Sequence, residues 1–409
     1  MSGPLAGVRI LTFTQAWSGT FGTELPALLG AEVVQIEGRS RPDGWRGGFD
    51  GNVPAAVRDP ARRQHAWNTS GLYNAVNLNK RAITLDLSQP RGLDLFKRLV
   101  PAFDVIAENF TPRVMTNLGV GYDVLRRLKP DIILASLSAY GASGPYRNVP
   151  GIGGTVEPMS GLSSLLGYED DRPQNSGAMY PDPISGYYFA AAIIMALRHR
   201  DRTGEGQTID LGMIEATATF TGDALLQYTA GLGIRRRQGN RHMRIAPHGI
   251  YPARDGGWLA LSADDEAAWQ ALARAIGRAD LIEDPRFAQM AARKQNEDAL
   301  NEIIAGWSRG QDAETAALAL RAAGVPAASV RGKLDVQHDE HLKARGFIIP
   351  IEHPEAGVWP QVGVPWQLSR TPAALTRPAP GLGQHSREVL AEYLCIGDEE
   401  YEELVALGV

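Results

Sequence analysis

The residues best able to do chemistry converge on one short run, Tyr180-Pro181-Asp182-Pro183-Ile184-Ser185-Gly186. Each proline ring fixes its own φ, and Pro183 biases Asp182 away from the α region, so an aspartate between two prolines is held stiffly. The apolar stretch that follows predicts a helix to Arg202, closed by the turn Thr203-Gly204-Glu205-Gly206-Gln207. Asp182 then stands at a helix start, where free N–H groups and the dipole favour a carboxylate. A carboxylate there can be a nucleophile, a base or an N-cap, and the cap is the commoner use. With a reference pKa of about 3.9 it is ionised at neutral pH and needs no base to attack an electrophile.

Other clusters carry weaker chemistry. His338-Asp339-Glu340-His341 places two imidazoles at i and i+3, but without a His-Glu-x-x-His pattern or a nearby third ligand it reads as a charged helix end, and no metal is expected. His242 and His248 are weak as a pair. Ser143 lies in Gly141-Ala142-Ser143-Gly144-Pro145, which is turn chemistry and not a nucleophile elbow. Arg235, Arg236, Arg237, Arg241 and Arg244 form a basic cluster, either a solvated edge or a phosphate contact. Glu157, in Gly154-Thr155-Val156-Glu157-Pro158, reads as a loop carboxylate or as a second acid near Asp182.

The elements that position these residues alternate. Val8–Phe13, Glu32–Ile36, Ile83–Leu87, Val105–Asn109 and Ile132–Ser136 read as strands, with helices after Ser18 and from Pro90 to Val100, and Thr208–Leu211 as a later strand. This order predicts a parallel α/β sheet wrapped by helices. Gly38 to about Thr69 is polar and rich in Gly and Arg, and reads as a surface loop. The first strand, Gly turn and helix imitate a dinucleotide site, but Gly19 and Gly22 lack the fingerprint's spacing. The expected division is a large Rossmann-like domain over 1–220 and 346–409 and a smaller α+β domain over 233–330. Residues 221–232 and 331–345 would be linkers.

The chain has 409 residues, 44% of them hydrophobic, enough for two cored domains. A net charge of −5 gives no reason to expect nucleic acid or an anionic membrane. Cys395 is the single cysteine, so no intrachain disulfide can form, which fits a reducing cytoplasm. The first residues show no basic-then-apolar leader pattern, and the longest apolar run, Tyr187 to Leu197, is too short to span a bilayer.

Several ordered motifs together resemble the family III CoA-transferases, the group that includes formyl-CoA and carnitine CoA-transferases. They are Pro4-Leu5-x-Gly7-Val8-Arg9-Ile10-Leu11, Leu29-Gly30-Ala31-Glu32-Val33-Val34-Gln35-Ile36-Glu37, and Asn77-Leu78-Asn79-Lys80-Arg81 running on to Asp86. Glu108-Asn109-Phe110-Thr111-Pro112, the Thr203–Gln207 turn, Gly239-Asn240-Arg241-His242 and Gly381-Leu382-Gly383-Gln384-His385 complete the set. The resemblance covers nearly the whole chain. It implies interlaced subunits, a homodimer or a heteromer with a sister subunit. It implies coenzyme A and acyl-CoA as substrates with no permanently bound cofactor, and CoA transfer to a carboxylic acid, with succinyl-CoA a common donor. Asp182 matches the aspartate that attacks the thioester. Gln15, Arg39, Lys80, Asn109 and Phe110 match CoA contacts, with Val114 and Leu118 beside the adenine. Gly38 stands where the family often has a basic residue, so Arg39 or Arg41 takes the phosphate. Gln15-Ala16-Trp17 replaces small polar residues of the oxalate enzymes, and their Gly-rich flap has no counterpart, so Trp17 is expected to wall a larger acid. An α-methylacyl-CoA racemase is the nearest rival, but Gly151-Ile152-Gly153-Gly154 lacks the His of that group's Gly-His-Asp. A non-catalytic partner subunit would have little reason to keep Asp182, and a nicotinamide dehydrogenase is opposed by the missing fingerprint.

Overall fold

A computed structural model describes residues 3–47, 65–233 and 237–409. Arg235 and Arg236 of the basic cluster, and 48–64 of the expected surface loop, lie outside them. The chain divides into two compact units, one of Met1–Ser163, Asn175–Gly233 and Glu340–Val409, the other of Ser164–Gln174 and Ile234–Asp339.

The larger unit is built on six strands: β1 (Arg9–Thr12), β2 (Glu32–Glu37), β3 (Arg81–Thr84), β4 (Val105–Glu108), β5 (Ile133–Ser138) and β6 (Thr208–Gly212). Their order is β3-β2-β1-β4-β5-β6, with every neighbouring pair parallel. This is the doubly wound order that the strand–helix alternation predicts. Alternate residues feed opposite faces. Leu11, Val34 and Ile106 enter a core with Phe96, Leu99 and Phe103, closed by Val389, Leu390 and Leu404 from the C-terminal helices. Ile10, Val33 and Val105 face Phe189, Ile193 and Leu197 of the helix Pro181–Thr203. Buried on both faces, the strands read as near-continuous apolar runs. The antiparallel pair of β10 (Ile348–His353) and β11 (Gly357–Val362) also belongs to this unit.

The smaller unit holds an antiparallel sheet of β7 (His248–Pro252), β8 (Trp258–Ser262) and β9 (Ala327–Ser329), in that order. Its core is Trp269, Leu272, Phe287, Leu300, Ile304 and Leu320. Asp265 and Asp312 cap two of its helices, accepting from Ala268 N–H at 2.7 Å and Thr315 N–H at 3.1 Å. Residues Ser164–Gln174 join this unit, although the sequence reading assigns them to the larger domain. Gly239 N–H donates to the Gly167 carbonyl at 2.8 Å, and Arg237 donates to the carbonyls of Tyr168, Glu169 and Asp171. The stretches read as linkers contain helices, Gly222–Thr229, Lys333–His338 and Glu340–Ala344. None of the three buries a residue. Among the described residues no helix is long and apolar enough to cross a membrane.

Candidate active site

In a sheet of this order, ligand crevices open beyond the carboxyl ends of the strands where the order reverses, between β1 and β4. Here two hydrogen bonds tie the ends of those two strands together. Gln15 N–H donates to Asn109 Oδ1 at 2.8 Å, and Asn109 Nδ2 donates back to the Gln15 carbonyl at 2.9 Å. The Asn109 side chain also presses on Gly19, where an added Cβ would lie 2.7 Å from its Cγ. The absence of a Cβ at Gly19 leaves room for the Asn109 side chain.

Asp182 sits beside the start of the first helix (Ser18–Leu28), with 8% of its surface exposed. It is not the N-cap the sequence suggests. Its helix begins at Pro181, and Asp182 lies inside the first turn, so the bias of Pro183 against the α region is overridden. Proline is tolerated in a first turn because those N–H groups have no partner within the helix. The N–H and hydroxyl of Ser18 favour its ionised form. Burial pushes its pKa up to about 6, while these two hydrogen bonds pull the other way. Burial and the Ser18 donors therefore act on this carboxylate in opposite directions. A more basic carboxylate that remains ionised is the better nucleophile.

The surroundings fix this geometry. Met179 takes a positive φ of 47°, and Asp182 N–H donates to its carbonyl at 3.0 Å. Gly153 supplies the floor: an added Cβ would lie 1.7 Å from Asp182 Oδ2. Gly186 lets the two helices touch, since its Cβ would meet Phe21 Cδ1 at 2.7 Å and the Ser18 carbonyl at 3.0 Å. Glu157 is wholly buried on the helix Gly153–Met159, not on a surface loop. Its oxygens accept from Ser176 N–H at 2.5 Å and Ser176 Oγ at 2.9 Å, anchoring the segment that leads to Asp182.

The remaining expected residues divide. Arg39 is exposed on a groove of about 810 Å³, also lined by Trp67, Gln384 and Tyr401. Phe110, Val114 and Leu118 are half-buried just beyond β4, with Phe110 and Leu118 against the core. Trp17 is half-buried, its ring 5.6 Å from that of Trp45. Lys80 is fully buried, and its ammonium donates to Thr20 O and Asn77 Oδ1, both at 2.8 Å. Burial lowers its pKa to about 7 and raises that of its neighbour Glu24 to about 8. In the second unit, Arg241 pairs with Asp298 at 2.5 Å. Among the described residues no group of three or more His, Cys, Asp or Glu gathers as for a metal.

Sequence reasoning missed Ser18, Asp43 and Arg46. Asp43 and Arg46 are buried, against the surface-loop expectation, with Arg46 bidentate to Glu37 at 2.8 and 2.7 Å. The turn signal Pro42-Asp43-Gly44 was legible, but its burial was not.

A family model described as CoA-transferase family III matches residues 5–386. The chain is 32% identical over 409 residues to a succinyl-CoA–D-citramalate CoA-transferase of Chloroflexus aurantiacus, covering 99% of this chain and 98% of that one. It is 30% identical over 406 residues to the beta subunit of a succinyl-CoA–L-malate CoA-transferase of the same organism, covering 98% and 96%. Among solved structures, a CAIB/BAIF family protein from Brucella suis superposes with a TM-score of 0.86 at 28% identity, over 96% of this chain and 100% of that one.

Proposed function

The chain belongs to CoA-transferase family III, and we propose that it moves CoA from succinyl-CoA to a dicarboxylic acid, with Asp182 as the covalent nucleophile. The observation that carries the reading is the placement of Asp182: buried against Gly153, where no Cβ could fit, with the donors of Ser18 favouring its ionised form. Its carboxylate attacks the thioester carbonyl, giving a succinyl–aspartyl anhydride and CoA thiolate. The thiolate then attacks the aspartyl carbonyl of the anhydride, releasing succinate and leaving an aspartyl–CoA thioester. The acceptor carboxylate attacks this thioester, expelling thiolate and forming a second anhydride. Thiolate attack on the acceptor's carbonyl forms the new acyl-CoA and frees Asp182. Each tetrahedral centre carries an oxyanion, and backbone N–H groups beside Gly153, where no Cβ intervenes, suit its stabilisation.

Arg39 is the cation proposed for the CoA phosphates, with Gln15 and Phe110 along the cofactor's path and Val114 and Leu118 beside its adenine. Asn109 acts here by holding Gln15. CoA enters as substrate, with no resident cofactor. The donor is inferred from the names of both relatives, which print succinyl-CoA. The paired indoles of Trp17 and Trp45 suit an acid larger than formate or oxalate. The assembly proposed is an interlaced homodimer in a reducing cytoplasm. A heteromer is the second reading, since one relative is named as a beta subunit. Racemisation is not favoured, because both oxygens of Glu157, the second acid near the site, are taken by Ser176.

The test is trapping. Incubation with succinyl-CoA and then borohydride should reduce an aspartyl thioester on the peptide carrying Asp182. An unmodified peptide during active turnover would overturn the reading.

A further inference from the structure

Ala16 adopts a φ of +58°, a left-handed conformation that costs a residue with a Cβ about 1–2 kcal/mol. Tertiary contacts hold it there. Both oxygens of Asp43 accept from Ala16 N–H, at 3.0 and 3.1 Å, and Asp43 Oδ1 also accepts from Trp45 N–H at 2.9 Å. Asp43 is fully buried, and its own N–H donates to Glu37 Oε1 at 3.1 Å. Glu37 is in turn gripped by Arg46 and accepts from the Tyr73 hydroxyl at 3.2 Å. The charged and titratable groups facing Asp43 are therefore Glu37, Arg46, Tyr73 and Lys80. Two residues downstream of Ala16 is Ser18, whose N–H and hydroxyl favour the ionised Asp182 and whose carbonyl packs on Gly186 of the Asp182 helix, 3.0 Å from where a Cβ would stand. The Ala16 carbonyl also takes the Thr20 hydroxyl, so a rotation at Ala16 is carried into the first turn of the helix.

We infer that Asp43 is a positioning residue for the transfer reaction: by gripping the N–H groups of Ala16 and Trp45 it aims the two donors of Ser18 at Asp182 and sets the Trp17–Trp45 wall beside them. The inference rests on the reading of Asp182 as nucleophile. A carboxylate suits the role because it offers acceptors only. An Asn of the same shape would turn an NH₂ toward one of the two N–H groups and push it away.

Asp43→Asn should therefore lower kcat about ten- to a hundredfold, the scale of a displaced reacting group. The KM for acyl-CoA should stay within about threefold, since Asp43 is buried away from any substrate surface. The acid limb of the kcat/KM profile should move to higher pH, because Ser18's donors hold Asp182 ionised. Adding Ala16→Gly should recover part of the lost kcat, because glycine takes this conformation without strain. Ala16→Val, which cannot hold a positive φ, should reproduce the kcat loss and the moved acid limb with Asp43 intact, and so serves where Asp43→Asn does not fold. Wild-type kcat and an unmoved acid limb in Asp43→Asn or in Ala16→Val would overturn the inference. So would a kcat loss without a moved limb and without recovery by glycine. The rate of adduct formation on Asp182 separates the two levels. No adduct in the wild type defeats the nucleophile reading, and this inference with it. An adduct that forms equally fast in wild type and Asp43→Asn defeats this inference alone.

Discussion

Replacing Asp182 by Asn should abolish transfer and stabilise the protein at the same time. Burial raises this carboxyl from 3.8 to about 6. At about 1.36 kcal/mol per pH unit, keeping it ionised in the folded chain at pH 8 costs about 3 kcal/mol as an upper figure. The sign follows from proton binding. Between pH 3.8 and about 6 the folded state holds the proton that the unfolded state has lost, so this group's contribution to stability falls as pH rises through that window. Above it the penalty is full and constant, and below it there is none. Asn has no charge to desolvate and keeps one acceptor for Ser18. Losing the second acceptor returns about 1 kcal/mol, which leaves a net gain of about 2 kcal/mol at pH 8.

For 409 residues the unfolding entropy is about 0.9 kcal/mol/K, so that gain is worth about 2 °C in Tm. Paired urea melts of both proteins from pH 4.5 to 8 read the difference directly. Every other titrating group cancels between them, including Glu24, Asp43 and Glu108, whose carboxyls burial also raises. The Asn variant should gain on the wild type steadily from pH 4.5 to about 6.5 and then hold level. Turnover of the same variant should fall by more than about a thousandfold. A stability difference that does not change with pH would refute burial as the cause of the raised pKa. An Asn variant less stable than wild type at pH 8 would refute the magnitude.

Gly153→Ala should cut kcat by at least about a hundredfold, because its Cβ would occupy the space of Asp182 Oδ2 at 1.7 Å, and steady-state kinetics with circular dichroism separates this from unfolding. Arg39→Ala should raise the KM for acyl-CoA about ten- to a hundredfold, the loss of one charge-assisted phosphate contact of about 1.5–3 kcal/mol. Trp17→Ala should improve small acids relative to larger dicarboxylic ones in a size series of acceptors, and an equal change for all acids would remove Trp17 from selectivity.

Much of the large unit was legible because its information is local. Apolar runs of strand length alternate with helical patterns, and that alternation alone implies a parallel sheet. The proline-bracketed Asp182 was also conspicuous, though its placement was not. The rule for a residue before proline describes an isolated dipeptide, whereas the first turn of a helix accommodates both rings. What stayed hidden depends on partners far away in sequence. Arg46 donates to the Pro380 carbonyl at 3.2 Å, and Asn79 Nδ2 to the Ala374 carbonyl at 2.6 Å. A polar, Gly-rich stretch looks solvated until such partners are known, so Asp43, Arg46 and Lys80 were read as surface or ligand groups. Their burial is affordable only because each is hydrogen-bonded.

The sheet has the strand order of dinucleotide-binding domains without their glycine spacing. In that order the positive start of the first helix is the natural seat of an anion. Here the chain fills the seat itself. Ser18, the first residue of that helix, favours the ionised Asp182 through its N–H and hydroxyl, and the Asn109 side chain lies over Gly19. An internal anion at such a seat is subject to two opposed forces. Burial makes the carboxylate basic, and the helix start with its donors keeps it ionised. Removing the donors would let the pKa of Asp182 climb further. Exposing the site would return it to a weaker nucleophile near pKa 4. The useful state lies between, and it requires Ser18 to be held in place. On the proposed reading of Asp182, the strained Ala16 and the carboxylate of Asp43 that restrains it take part in the chemistry as well as in the loop.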